Sequence, residues 1–580
     1  MTPTDSGRPP PRPLAPDSDA PAGAAWGSRH SIPLSAAPAA TTAAPSTIPQ
    51  AAVPHALAGP EHCLDGQLAG RLTKYFRCSF ADLPEGFHAA LRLWQWEHLR
   101  LTAMRCAGQT LHYKSRLDHE QLAKSIQDIA RRAGLPFSEP PGPIGSPAPV
   151  RRTAANLPLA ESALFATAEL LGLLPFTRPE DLAAGTDTFL AVPHGDVAGL
   201  ISLSTSGTTG TGKRVFCTAE DLEETAAFFK HGMRYLVAPG QGDSVALLMS
   251  GDRPGSVGDL LVRGMRGLSV PCSVPGFVRP GPEGEDAMLD QLLALAPTCL
   301  VGVPAQLLAL ARHRRAGELA GHVRSVLLSG DSVTPALRRA IAEGLSCAVF
   351  IHYGLTETGL GGAVECRQRN GCHMREADLL CEILDEDGAP VPRGAWGEIV
   401  LTTLTRQAMP LLRYRTGDEG RVLPAPCVCA SVFDRLEIRG RMSQSLRLPS
   451  GRRLHMTELD ARLHALPFVR GYAAVFHRWR ENGTPRTCLR LSLRITGPEG
   501  EQALPLAARA LSDLPELAPA SERVSTRAET WAESAGAAGT RSGLFPLPVL
   551  LRIAREEEPG AMHPQAKLCL QYSDTPPPWR

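Results

Sequence analysis

The side chains able to act on a phosphate or a carboxylate are concentrated in four short stretches. The first is Ser204–Arg214, STSGTTGTGKR, which offers glycines Gly207 and Gly210, hydroxyls from Ser204, Thr205, Ser206, Thr208 and Thr209, and a basic end at Lys213. Loops of this composition hold phosphates with their backbone N–H groups. The second, SGDSVTP (329–335), sets Gly330, Asp331 and Ser332 after an apolar run. The third, HYGLTETG (352–359), packs an aromatic ring, a hydroxyl and a carboxylate between Tyr353 and Glu357. The fourth, RYRTGD (413–418), ends in Asp418, a double hydrogen-bond acceptor. Read singly, each has an ordinary alternative: a tight Gly/Thr turn, a strand-to-loop turn, the start of a surface helix, a Gly-Asp turn.

Gly207–Lys213 also fits G-x-x-x-x-G-K, but a Walker loop needs Ser or Thr next, to coordinate magnesium, and here Arg214 follows. A Walker loop also opens a helix, whereas Val215–Thr218 reads as a short β run. The next helix starts at Thr218, with Asp221 as its capping partner. The phosphate loop therefore sits between two strand-like segments.

The elements that must position these stretches follow from patterning. Val245–Met249, Cys299–Val303, Val326–Leu328 and Ala348–His352 read as buried strands, and Ala287–Leu295 and Pro335–Glu343 as helices between them. The alternation predicts an α/β domain with a largely parallel sheet. In such sheets ligands bind at the carboxyl ends of strands, where the breaks at 250–251, 329–331 and 353–354 fall. Leu91–Tyr113 has helical apolar spacing, and Pro136–Pro149 reads as a linker or long loop. Residues 1–60, rich in Pro, Ala, Ser and Thr, read as a disordered tail. The texture changes after Arg415; 441–475 suggests a smaller α+β unit, and 495–545 gives no firm reading.

With 580 residues the chain has room for two or three domains, and its net charge of +1 favours neither nucleic acid nor an anionic membrane. No run reaches the roughly 18 apolar residues of a membrane span, and the N-terminus lacks an apolar signal core. Fourteen scattered cysteines fit a reducing cytoplasm better than a secreted disulfide framework. Basic residues are nearly all arginine; lysine occurs only at 74, 114, 124, 213, 230 and 567. Lys213 closes the glycine loop and Lys567 stands alone near the C-terminus, which singles both out as positions wanting a compact point charge.

Taken in order, the four stretches resemble the adenylate-forming superfamily of acyl-CoA synthetases, luciferases and adenylation domains. The chain is most similar to the phenylacetate–CoA ligase branch, through DVAGLISLSTSGTTG (196–210), READLLCEILDEDG (375–388) and LTTLTRQAMPLLRYRTGD (401–418). The resemblance covers roughly residues 65 to 475. It implies a large N-terminal adenylate-forming domain (61–440) with mainly parallel layered sheets, and a small mobile α+β C-terminal domain (441–580). It implies ATP, Mg²⁺ and coenzyme A, and joining of a small carboxylic acid, aryl or arylacetic, to AMP and then to a thiol. A homodimer is compatible with it. The loop 204–213 would handle the β- and γ-phosphates. Gly330, Asp331 and Ser332 would line the adenine pocket, and Tyr353, beside Gly354, would pack on adenine. Thr356 would bond the α-phosphate, Glu357 would hold Mg²⁺, and Asp418 would accept from the ribose hydroxyls. Arg441 would reach the ribose or phosphate. In HPQAKLCLQYSD, Lys567 matches the family's catalytic lysine, with Ala566 in place of glycine; the alternative is a solvated tail lysine. The acid would lie against 251–277, 302–304 and 360–363.

The usual hinge, Gly-Arg-x-Asp-Asp, here reads Gly440-Arg441-Met442-Ser443-Gln444, losing both acids. Two further hypotheses therefore stand: adenylation with a non-CoA acceptor (a protein thiol or a cofactor), and a catalytically weak nucleotide-binding accessory protein. Beside the site, Cys427 and Cys429 form C-x-C in a Pro-rich loop, and ECRQRNGCH supplies Cys366, Cys372 and His373. Cys366, His373, Cys427 and Cys429 are the set expected for a tetrahedral structural zinc, as against free cysteines behaving as small hydrophobes.

Overall fold

The computed structural model describes residues 68, 70–72, 87–135, 157–203, 213–251, 253–279, 281–447, 453–481, 484–495, 500–512, 514, 549–553 and 570–573. All belong to one compact unit, Gln50–Arg580. The expected tail (1–60), the linker at 136–149, and all of 515–545 lie outside the described residues.

A hairpin of β1 (Gly199–Leu203) and β2 (Lys213–Cys217) leads into the helix Ala219–Met233. That helix starts at Thr218 as expected. The Thr218 hydroxyl accepts from the Asp221 N–H while the Asp221 carboxylate accepts from the Thr218 N–H. The Asp221 carboxylate also accepts from the N–H groups of Gln407 and Ala408, tying this helix to a loop far along the chain.

Parallel strands then alternate with helices. They are β3 (Val245–Leu248), β4 (Cys272–Ser273), β5 (Cys299–Gly302), β6 (Ser325–Leu328) and β7 (Ala348–Tyr353), in spatial order β4-β3-β5-β6-β7. Helices Pro282–Leu295 and Pro335–Leu345 stand where their spacing predicts them. Strands β3, β5 and β6 are buried on both faces: in β3, Val245 and Leu247 enter one core, Ala246 and Leu248 the other. That double burial explains the near-continuous apolar runs.

The sheet does not stop at β7. It continues antiparallel through β8 (Ala363–Glu365), β9 (Cys372–Met374), β10 (Leu379–Leu384), β11 (Gly397–Thr403), β12 (Tyr414–Val422) and β13 (Arg435–Arg441), in spatial order β7-β8-β9-β13-β12-β11-β10. One eleven-stranded mixed sheet results. No described helix is long and apolar enough to cross a membrane.

After Arg441 a separate core is drawn wholly from residues between Leu446 and Leu514. Strands β14 (Ser445–Arg447) and β15 (Arg453–His455) pair, and the helix Met456–Leu463 follows. A four-stranded sheet is ordered β18-β17-β16-β19, with β16 Val469–Glu481, β17 Thr484–Ile495, β18 Val549–Ile553 and β19 Leu570–Ser573. The helix Gly500–Leu511 lies within 495–545, for which patterning yields no firm reading, and Pro505 stands inside it.

One buried acid in this core makes its stability depend on pH. Burial pushes the Asp460 carboxyl up to about 7, against the pull of the Tyr472 hydroxyl that donates to it. A carboxyl whose folded pKa is raised binds its proton more tightly folded than unfolded. Its contribution is complete below the unfolded value of 3.8 and is lost as pH rises through about 7. Melting followed from about pH 5 to about pH 8 should therefore show wild type losing stability relative to Asp460→Asn. A constant difference between the two would refute this.

Candidate active site and metal centre

Leu203 and Lys213 are paired across the β1–β2 hairpin, so the glycine loop joins two antiparallel strands. A Walker loop would open a helix, and that reading is excluded. Ser204, Thr205, Ser206, Gly207, Thr208, Thr209 and Gly210 lie outside the described residues, as does Lys567; Lys213 is described as the first residue of β2.

The other three stretches converge at the carboxyl end of β7. Strand alternation sends His352 and Tyr353 to opposite sides. The Tyr353 hydroxyl donates to Asp418 Oδ2 at 2.8 Å. Burial, and then the Asp418 charge, push that phenol well above its usual range, so it stays protonated and is the donor. Arg441 meets the other oxygen, Nε to Oδ1 2.9 Å, and is the cross-strand partner of Asp418 between β12 and β13. Tyr414, Thr416 and Asp418 follow the inward alternation of β12, all three buried. The Asp418 N–H donates to Thr416 Oγ1 at 3.0 Å, and Arg441 Nη1 to the Thr416 carbonyl at 3.0 Å. Tyr414 had no assigned role in the sequence reading. Its hydroxyl donates to Glu357 Oε1 at 2.6 Å, holding the acid expected to bind magnesium. Its position two pleats before Asp418 in RYRTGD was the available signal.

Thr356 and Glu357 are buried beside this cluster, with Gly354 ahead of them. Gly354 admits no side chain, since a Cβ there would come within 1.9 Å of the Leu360 carbonyl oxygen. Gly330, Asp331 and Ser332 form the turn after β6, where the Ser332 N–H donates to Asp331 Oδ1 at 2.8 Å. This turn touches the hinge. Gly440 has φ +134, and a Cβ on it would lie 3.0 Å from Ser332 Oγ, so a larger residue there is strained. Met442–Gln444 form a single 3₁₀ turn into β14.

A cleft of about 510 Å³ is lined from both sides of the Gly440–Gln444 segment, by Glu419 and Arg439 before it and Arg453, His455, Thr457 and Glu458 after it. Within it Arg439 pairs with Glu419 at 3.0 Å and His455 lies 3.3 Å from the same carboxylate. Arg470–Glu285 at 2.6 Å is a further ion pair between the segment after the hinge and the body before it.

The four expected metal ligands are gathered as the cysteine pattern suggests. The ligand atoms of Cys366, His373, Cys427 and Cys429 all lie within 4.8 Å of one another. Cys366 Sγ is 3.7 Å from Cys427 Sγ, and Cys429 Sγ is 3.3 Å from His373 Nε2. Around zinc, with Zn–S of about 2.3 Å, a tetrahedron separates two sulfurs by about 3.8 Å and sulfur from nitrogen by about 3.6 Å. His373 Nδ1 lies 3.0 Å from the Phe433 carbonyl oxygen; donating there leaves Nε2 to face the sulfurs, a common arrangement for a ligating imidazole. Cys372, between two of the four in sequence, instead points its sulfur at the Ile351 carbonyl.

Residues 192–405 match the family model described as AMP-binding enzyme. The chain is 33% identical over 322 residues to a phenylacetate–coenzyme A ligase of Thermus thermophilus, spanning 53% of this chain and 68% of that one. It is 31% identical over 266 residues to a phenylacetate–coenzyme A ligase of Pseudomonas putida, spanning 44% of this chain and 58% of the relative. Among solved structures it is similar in fold to a 2-hydroxyisobutyryl-CoA ligase in its postadenylation state, with TM-score 0.58, 15% identity, and 83% and 89% of the two chains covered.

Proposed function

The chain belongs to the family of AMP-binding enzymes that holds the phenylacetate–coenzyme A ligases, and from that premise we propose that it activates an aryl or arylacetic acid and transfers it to coenzyme A. The activity is AMP-forming acid–thiol ligation. A carboxylate oxygen attacks the α-phosphorus of ATP, the bond to pyrophosphate breaks, and the acyl group then passes from AMP to the thiol. The barrier lies in crowding negative charge onto the phosphates, so positioning and preorganised charge are what the protein must supply.

The observation that carries this reading is the Asp418 cluster. One buried carboxylate, held by Tyr353 and Arg441, stands beside Thr356 and a second carboxylate, Glu357, held by Tyr414. Asp418 receives the ribose hydroxyls, exchanging its present partners for them. Thr356 bonds the α-phosphate. Glu357, a hard oxygen donor, suits Mg²⁺, which would neutralise phosphate charge. Gly330, Asp331 and Ser332 flank the adenine, the loop 204–213 takes the leaving pyrophosphate, and Lys567 comes in with the C-terminal domain beginning at Arg441. Cys366, His373, Cys427 and Cys429 hold a structural zinc that ties β8, β9 and the loop before β13 together. The working compartment is the cytoplasm.

The test is carboxylate-dependent ATP–pyrophosphate exchange over aryl, arylacetic and fatty acids, with and without CoA. Exchange with aryl or arylacetic acids, and a thioester once CoA is added, is the expected result. Exchange without thioester would assign another acceptor and implicate Ser443 and Gln444. No exchange with any acid while ATP still binds would overturn the ligase reading.

A further inference from the structure

In the HYGLTETG stretch, strand alternation sends His352 to the side of β7 opposite Tyr353, where phenylalanine rings stand beside it. The rings of Phe228 and Phe229 each stand 6.0 Å from the imidazole. Phe228 in turn abuts the 360–363 segment, since a Cβ on Gly361 would fall 2.4 Å from its Cδ1. Below the imidazole, a Cβ on Gly354 would fall 2.7 Å from His352 Cε1. One ring nitrogen is fixed: Nδ1 lies 2.9 Å from Ser329 Oγ, on the turn after β6. The other, Nε2, is buried and has no hydrogen-bond partner among the described residues.

A buried polar atom left unpaired is costly, and most such atoms find a partner. Here the unpaired nitrogen stands at a defined place, beside the Phe228 ring. On the adenylation reading the acid's carboxylate reaches the α-phosphate beside Thr356 and Glu357, and its body would then lie along Phe228 and 360–363, next to His352. Burial lowers the imidazole to about 4, so it is neutral at working pH and offers a single donor or acceptor, not a charge. A hydroxyl is both donor and acceptor and matches either tautomer.

Resting on the adenylation reading above, we propose that His352 is a specificity-determining residue whose free Nε2 pairs with a hydroxyl on the acid, so that the substrate is a hydroxylated aryl or arylacetic acid. Ser329 is the positioning residue that sets the ring. A site built around such a bond rejects the analogue lacking it far more strongly than an apolar pocket does.

The experiment compares ATP–pyrophosphate exchange for matched pairs of acids, ring-hydroxylated and unsubstituted, with ATP binding measured separately as a check on folding. Wild type should favour the best hydroxylated acid over its unsubstituted partner by at least about 100-fold in kcat/KM. His352→Leu should bring the ratio to within about threefold, chiefly by losing the hydroxylated acid, and His352→Gln should keep part of it. Ser329→Ala should lower the ratio partway. Equal use of both acids by wild type, or a ratio unmoved in His352→Leu, would overturn the role of His352 while leaving adenylation standing. Absence of exchange with every acid would overturn the adenylation reading and this inference with it.

Discussion

Lys567→Ala is expected to slow adenylation by about a hundred- to a thousandfold while leaving ATP affinity within about threefold of wild type. The reasoning starts from composition. In a chain whose basic residues are nearly all arginine, Lys567 is the only lysine after Lys230. An ammonium group is a compact point charge that can sit between two oxygens of different groups, where a guanidinium fork is too wide. The attacking carboxylate and the α-phosphate are such a pair, and both gain from a cation only as they approach. An interaction made mainly in the transition state lowers kcat when removed and spares binding. Lys567→Arg should rescue little, because the charge is kept but its shape is not. The lysine falls three residues ahead of β19, which pairs with β16 in the sheet after the hinge. Its action therefore depends on how that sheet meets the Asp418 cluster. Normal exchange rates in Lys567→Ala would remove Lys567 from the reaction.

The second large effect concerns the metal centre. The purified protein is expected to carry about one zinc per chain. Cys427→Ser or Cys366→Ser should lose it and melt at least about 5 °C lower. Cys372→Ser is the control, since Cys372 faces the Ile351 carbonyl and not the cluster, and it should retain the metal. The expected cost follows from what the ion replaces. Three thiols packed this closely around an imidazole repel one another once they ionise, and an ion that neutralises them joins β8, β9 and the loop at 427–429. Because Arg435 of β13 pairs in register with His373 of β9, loosening this corner should also disturb β13, which carries Arg441. Adenylation should fall along with stability. If no metal co-purifies and Cys427→Ser melts like wild type, the four residues are ordinary packed side chains.

Local patterning determined much of this molecule. The apolar runs of β3, β5, β6 and β7, the helices between them and the Thr218–Asp221 cap stand where periodicity and capping chemistry put them, because those signals act over one or two turns of chain. The glycine loop at 204–213 could be told from a Walker loop by the residues on either side of it. The cysteine and histidine pattern offered Cys366, His373, Cys427 and Cys429 as one set, and the fold brings those four ligand atoms together.

What only the tertiary structure decided lies in pairings between distant segments. Nothing in RYRTGD says that Asp418 faces Tyr353, or that Tyr414 reaches Glu357; both depend on β12 and β13 adding antiparallel to a sheet that begins parallel. Register of that kind is set by packing over the whole sheet, since a slip of one residue would turn every side chain to the other face. The helix Gly500–Leu511 was hidden because Pro505 and its alanines blur the apolar stripe that packing against its own core makes real. His352 read as one more polar residue in a motif. Its meaning came only from the Ser329 hydroxyl on one nitrogen and the phenylalanine rings beside the imidazole, a setting that no spacing along the chain records.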